Sequence, residues 1–270
     1  MNVIDVSRPP GNGFSRRTEC LGNREFRIWE AGDGDPLVWL HGAGGVVLSY
    51  ALDRLAQRYR VLLPEMPGWG PVGQVPTSIL QMRDTLADLL SRQGLSRYHL
   101  GGTSLGAAVA LHLAAGRGEI LESLVLESPY ALRAGGEDPD PTHHSPQQMR
   151  EMLNARPDRV AWRMPVGPSE VQLKVMQMVA SEQNEALIAE ALPSIRTPML
   201  LIFGGLDRIT PAAAARAFQQ RLPDCCYVNL PGAAHDAQGD CPVEFVDAVE
   251  QFLVTRTEGS LAQGRALPAS

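Results

Sequence analysis

Short, uninterrupted apolar runs, each closed by glycine or proline and followed by a longer helical pattern, set the fold class of this 270-residue chain. The runs occupy residues 26–29, 37–40, 61–63, 98–100, 124–126, 199–203 and 227–230. Runs without polar alternation suit strands buried on both faces, as in a parallel sheet covered by helices on each side. Between them, residues 78–93 put Ile79, Met82, Leu86, Leu89 and Leu90 on one helical face, with Ser78 and Gln81 at capping-box spacing. Residues 105–115 are rich in Ala and Leu, and Pro211 after Thr210 opens a helix over 211–222. Residues 243–254 gather Phe245, Val249, Phe252 and Leu253 on a shared face. This alternation predicts an α/β fold with a doubly wound, mostly parallel sheet.

One stretch breaks the alternation. Residues 131–194 contain no strand-like run; they open on polar, proline-containing chain and continue with helical patterns over 147–154, 169–180 and 185–192. A connection this long needs structure of its own, so a helical cap over one end of the sheet is expected. The chain then divides into a core of 14–130 and 195–254, a cap of 131–194, and a tail of 255–270. The tail has few large apolar residues and is expected to be frayed or disordered.

Composition narrows the function. With 24 Lys and Arg against 30 Asp and Glu, the net charge is −6, which offers no broad basic face to a nucleic-acid backbone. No apolar stretch approaches the about 18 residues of a spanning helix, and the first 13 residues lack the apolar segment of a secretory signal. Neither nucleic acid nor membrane is therefore an expected partner. Cys20, Cys225, Cys226 and Cys241 lack paired C-x-x-C spacing, so reduced thiols in a cytoplasmic protein are expected, and no metal site.

The chemistry gathers at strand ends. Gly102-Thr103-Ser104-Leu105-Gly106 is a G-x-S-x-G sequence that follows the 98–100 run and opens the 105–115 helix. That strand–turn–helix setting is the context of a nucleophile elbow, where small neighbours permit a sharp turn that lifts Ser104 clear of the sheet. The helix N-terminus below favours developing negative charge. A serine hydroxyl needs a base, and the base an orienting acid. His235 follows one strand run and Asp207 another, and the order Ser104, Asp207, His235 is the one this architecture uses. The plainer roles are a surface-loop histidine and a helix-capping aspartate.

His41-Gly42-Ala43-Gly44-Gly45 ends the 37–40 run. A glycine-rich turn there lets backbone N–H groups face a pocket, and those of Ala43 and Leu105 are the candidate oxyanion donors. His41 is expected to be a structural hydrogen-bonding residue beneath the site. His99 and His112 fall within a strand and a helix and read as packing residues, while His143 and His144 stay unassigned.

The segments "PLVWLHGAGG", "RVLLPEMPGWG", "GGTSLGAAVALHLAA", "LVLESP", "PMLLIFGGLDRITP" and "LPGAAHDAQGDCPVEFVDAVEQFL" together resemble the α/β-hydrolase superfamily over residues 25–253. The family's acid-x-x-Gly-x-Gly segment appears as Glu65-Met66-Pro67-Gly68-Trp69-Gly70, with Glu where Asp is commoner. The resemblance implies Ser104 as nucleophile, Asp207 as acid, His235 as base, and Ala43 with Leu105 as oxyanion donors. Serine at the elbow counts against the branches that use aspartate there. Glu127, after the 124–126 run, stands where some relatives carry the acid and is the competitor to Asp207.

Gly42, Gly44, Trp69, Tyr130 and Trp162 are candidate pocket residues, and a small-molecule substrate is the expected partner. The cap's Met149, Met152, Met164, Met176 and Met178 suit either a forgiving apolar pocket or a plain seal onto the sheet. Arg150, Arg156, Arg159 and Arg163 could meet a carboxylate or merely face solvent. The expected activity is hydrolysis of an ester, thioester or lactone through an acyl-enzyme, with no organic cofactor. Alternatives are carbon–carbon bond hydrolysis of ring-cleavage products, a non-hydrolytic acyltransferase, lyase or cyclase, and a ligand-binding scaffold.

Overall fold

The structure, a computed structural model, describes residues 9–70, 75–132, 137, 140, 143–157, 168–222 and 225–257. In chain order the elements are β1 (Ser15–Leu21), β2 (Arg24–Ala31), β3 (Asp35–Leu40), α1 (Tyr50–Leu55), β4 (Tyr59–Pro64), α2 (Ile79–Ser91), β5 (Tyr98–Thr103), α3 (Leu105–Arg117) and β6 (Leu121–Glu127). They continue with α4 (Pro146–Leu153), α5 (Glu170–Val179), α6 (Glu182–Ala191), β7 (Met199–Gly204), α7 (Ala213–Arg221), β8 (Cys226–Leu230), α8 (Ala237–Asp240) and α9 (Pro242–Thr257). The strands form one sheet in the order β1-β2-β4-β3-β5-β6-β7-β8. β2 pairs antiparallel with β1 and β4, and every pairing from β4 to β8 is parallel.

The apolar runs now have a physical reason. Along β3, Leu37 and Trp39 face one side of the sheet with α1 and α9, while Val38 and Leu40 face the other with α2 and α3. β7 splits in the same way, Leu200 and Ile202 against Leu201 and Phe203. A strand covered on both faces has no polar side to show. Two cores, one on each face of the sheet, therefore carry the stability through burial of apolar area.

Several elements differ from expectation. β1 was not anticipated: its sequence is polar, it lies at the sheet edge, and its side chains are mostly exposed or half-buried. The six-residue α1 was too short to announce itself. Ser78 caps α2 by accepting the Gln81 N–H, but the Gln81 side chain reaches back to the Thr77 N–H and hydroxyl. Full capping boxes instead open α4 and α5. α9 runs to Thr257, three residues into the stretch expected to fray, and residues 258–270 of that tail lie outside the described residues. Among the described residues, α4, α5, α6 and a short 3-10 helix (Leu192–Ser194) come between β6 and β7, and no strand. No helix among the described residues is long and apolar enough to cross a membrane.

Candidate active site

Three strand ends meet at the carboxyl edge of the sheet. β5 turns into α3 at Ser104, whose φ of 52° and ψ of −113° lie where a side-chain-bearing residue rarely sits. The turn is this tight because its flanks are glycine. A Cβ on Gly106 would stand 2.3 Å from the Leu40 carbonyl oxygen, and one on Gly102 2.7 Å from the Gly106 backbone. Hydrogen bonds hold the strain: Ser104 N–H donates to the Glu127 carbonyl at 2.9 Å, and the Ser104 carbonyl accepts Tyr130 N–H at 3.0 Å and Ala108 N–H at 3.1 Å.

The loop after β8 brings His235 Nε2 to 2.8 Å from Ser104 Oγ. The loop after β7 brings Asp207 Oδ2 to 2.9 Å from His235 Nδ1. His235 and Asp207 are both buried. Burial alone would raise the Asp207 carboxyl, but the His235 ring and the Thr210 N–H and hydroxyl outweigh it and hold the group below its ordinary value. An ionised Asp207 at Nδ1 fixes the tautomer, with the proton on Nδ1 and the Nε2 lone pair toward Ser104. Asp207 does not cap α7; its Oδ1 takes the Ile209 and Thr210 N–H groups within its own loop.

The turn after β3 lies beside the serine: a Cβ on Gly42 would sit 3.7 Å from Ser104 Cβ. His41 is buried beneath this turn. Its Nε2 accepts Met66 N–H at 3.0 Å, and its Nδ1–H donates to the Gly42 carbonyl at 2.7 Å. Burial pushes its pKa down to about 4, partly offset by the Gly42 carbonyl, so the ring is neutral near pH 7. Trp69 packs edge-on against His41 and gives its indole N–H to the Ala43 carbonyl at 3.1 Å. The Gly42 and Ala43 carbonyls are thus both held within the turn. Among the described residues neither the Ala43 N–H nor the Leu105 N–H reaches a protein acceptor.

The remaining sequence candidates fall into place around this arrangement. Glu127 is not the partner of His235. It is wholly buried below the elbow, accepting Thr103 Oγ1–H at 2.6 Å, Gln238 N–H at 2.7 Å and Gln238 Nε2–H at 2.8 Å. Trp39 and Ser49 extend this network through Thr103 and Gln238. Burial, with the nearby Asp236 charge, raises the Glu127 carboxyl to about 7 against those donors. Glu65 pairs with Arg27 at 2.5 and 2.6 Å and does not enter the site. His99 bonds Ser123, and His112 bonds Asn184 on α6, both as buried packing residues.

Trp69 is a buried brace for the Ala43 turn. Tyr130 is half-buried beside Ser104, and Gly44 is exposed. Trp162, Met164, Arg159 and Arg163 lie outside the described residues. Met152 is buried, and Met176 and Met178 pack on the core, which fits the plain seal. Among the described residues no group of three or more His, Cys, Asp or Glu side chains is placed to hold a metal.

Sequence reasoning missed Thr210. Its hydroxyl donates to Asp207 Oδ2 at 2.7 Å and lies 3.3 Å from His235 Nδ1. The Asp-x-x-Thr spacing, which lets the later residue fold back on the carboxylate, was the available signal.

An eight-stranded, mostly parallel sheet with a serine at a strained strand-to-helix turn, and histidine and aspartate on later strand ends, defines an α/β-hydrolase-type enzyme. The model of the alpha/beta hydrolase family matches residues 37–248, and the chain belongs to that family. A pimeloyl-[acyl-carrier protein] methyl ester esterase of Nitrosomonas europaea is 31% identical over 83% of this chain and 98% of its own length. A 2-hydroxy-6-oxo-6-(2'-aminophenyl)hexa-2,4-dienoic acid hydrolase of Metapseudomonas resinovorans is 23% identical over 94% of this chain and 96% of its own. A serine hydrolase structure from Cycloclasticus zankles shares the fold, with a TM-score of 0.74 at 22% identity over 90% of this chain and 99% of that one.

Proposed function

We propose that this chain hydrolyses carboxylic esters through a Ser104 acyl-enzyme. The observation that carries the reading is the unbroken hydrogen-bonded line from Ser104 Oγ through His235 to Asp207. His235 Nε2 takes the Ser104 proton as Oγ attacks the ester carbonyl, and Asp207 stabilises the imidazolium that forms. The Ala43 and Leu105 N–H groups hold the oxyanion, aided by the N-terminus of α3. His235 then protonates the leaving alcohol and activates the water that releases the acid.

The helices α4 to α6 serve as the cap over this edge of the sheet. The reading draws support from the Asp236 N–H, next to the base, which donates to the Leu153 carbonyl at the end of α4. The substrate is a small molecule, consistent with a net charge of −6 that disfavours nucleic acid. The Nitrosomonas europaea relative makes methyl esters of acyl chains the first substrates to try.

The test is acid release from methyl, ethyl and p-nitrophenyl esters of graded acyl length. Ester turnover that is lost in Ser104→Ala supports the reading. The Metapseudomonas resinovorans relative gives weight to a second, carbon–carbon hydrolysis. Turnover of a vinylogous diketone with every ester left intact would replace the first reading by the second.

A further inference from the structure

Both backbone neighbours of His235 are committed to one small region of the structure. The Ala234 N–H donates to Asp240 Oδ2 at 2.9 Å, and the Asp236 N–H donates to the Leu153 carbonyl at 2.8 Å. Asp240 ends α8, only five residues after the base, and is 1% exposed. Its other partners come from the far side of the chain: Ala155 N–H at 2.8 Å on Oδ2 and Arg156 N–H at 3.1 Å on Oδ1.

Among the described residues Asp240 has three backbone N–H partners and no cation. A buried carboxylate held in this way is costly unless all its donors are present. Burial raises its pKa, and the three N–H groups only partly oppose that. A carboxylate that merely finished α8 would bond within its own turn. This one clamps the stretch after α4 to the loop that carries the base.

We propose that Asp240 is a positioning residue that couples the segment after α4 to His235, so that the seating of the cap helices governs turnover as well as binding. The proposal rests on the triad reading above. Atoms 2.8 Å apart at Ser104 and His235 tolerate little displacement, since misplacement by about 1 Å can cost about 100-fold in rate. Anything that shifts residues 153–156 pulls on both flanks of the base through two separate bonds.

Two variants break the link from opposite sides. Asp240→Asn keeps the shape and removes one acceptor oxygen. Ala155→Pro removes one donor on the cap side and leaves α8 and the base loop unaltered. Asn154 already has φ −131° and ψ 132°, the extended backbone that a residue before proline adopts.

With p-nitrophenyl acetate as the probe, each variant is expected to lose about tenfold in kcat with KM within about twofold, and to shift the kinetic pKa of the base. The double variant should lose no more than the worse single one, because both act through one clamp. Folded variants that keep kcat, or losses that multiply in the double variant, overturn the proposal. If Asp240→Asn does not fold, the kcat of Ala155→Pro alone decides. Labelling of wild-type Ser104 by a fluorophosphonate separates the two readings: labelled wild type with intact variants defeats only the coupling, and unlabelled wild type defeats the triad and the coupling with it.

Discussion

Glu127 sits wholly buried among neutral donors, and replacing it with glutamine makes its ionisation measurable. Burial, then the Asp236 charge, lifts its carboxyl from an ordinary 4.5 to about 7. Between those values the native protein still holds a proton that the unfolded chain has released. The native state therefore binds more protons, and stability falls as the pH rises from 4.5 toward 7, then levels off. A rise of this size amounts to roughly 2 to 3 kcal/mol of unfolding free energy between about pH 5 and pH 8.

Glutamine cannot ionise, so Glu127→Gln lacks that loss. It carries a different penalty, since its amide NH2 must face either the Gln238 N–H or the Thr103 and Gln238 donors. That penalty does not depend on pH and cancels when the stability gap between wild type and variant is compared at two pH values. Urea unfolding of both proteins at each pH gives the gap. It should move toward the variant by roughly 2 to 3 kcal/mol on going from about pH 5 to pH 8. A gap that stays flat, or that moves toward the wild type, would refute the idea that this carboxylate is held against its preference for water.

Asp207→Asn should leave the fold in place and lower kcat by about 1,000- to 10,000-fold with a small change in KM, because the amide no longer fixes the His235 tautomer; steady-state kinetics checks it. Thr210→Val removes the hydroxyl that Asp207 Oδ2 accepts at 2.7 Å, making the carboxylate a stronger partner for His235. The kinetic pKa of the base should rise, with Thr210→Ser restoring it, as read from the pH profile of kcat/KM. Gly106→Ala would put a Cβ within 2.4 Å of two backbone carbonyl oxygens, so it should destabilise the protein by more than about 3 kcal/mol, seen as a large fall in Tm.

How much of this was readable beforehand follows from how local each feature is. β3 and β7 were legible because burial on both faces leaves an unbroken apolar run. β1 was not, since an edge strand paired only with β2 has little apolar pattern to show. Ser104, Asp207 and His235 were legible because each stands in a short turn whose chemistry the neighbouring residues declare.

The groups that hold them were hidden by distance in the chain. Gln238 reaches Glu127 across 111 positions and Thr103 across 135, and Asp240 reaches Ala155 across 85. No local pattern announces such contacts. Glu127 itself was legible as an acid near the site, but its role depends on Thr103 and Gln238, which only the fold brings to it. Trp69 looked like a pocket residue because it follows a strand, yet packing against His41 turns its indole inward to the Ala43 carbonyl.

The central claim, an activated serine at position 104, is tested most directly by exposing the protein and its Ser104→Ala variant to a fluorophosphonate and recording intact masses. A single adduct on the wild type and none on the folded variant is the predicted result. A folded wild type that takes no adduct, from this probe or from a smaller sulfonyl fluoride, would contradict it.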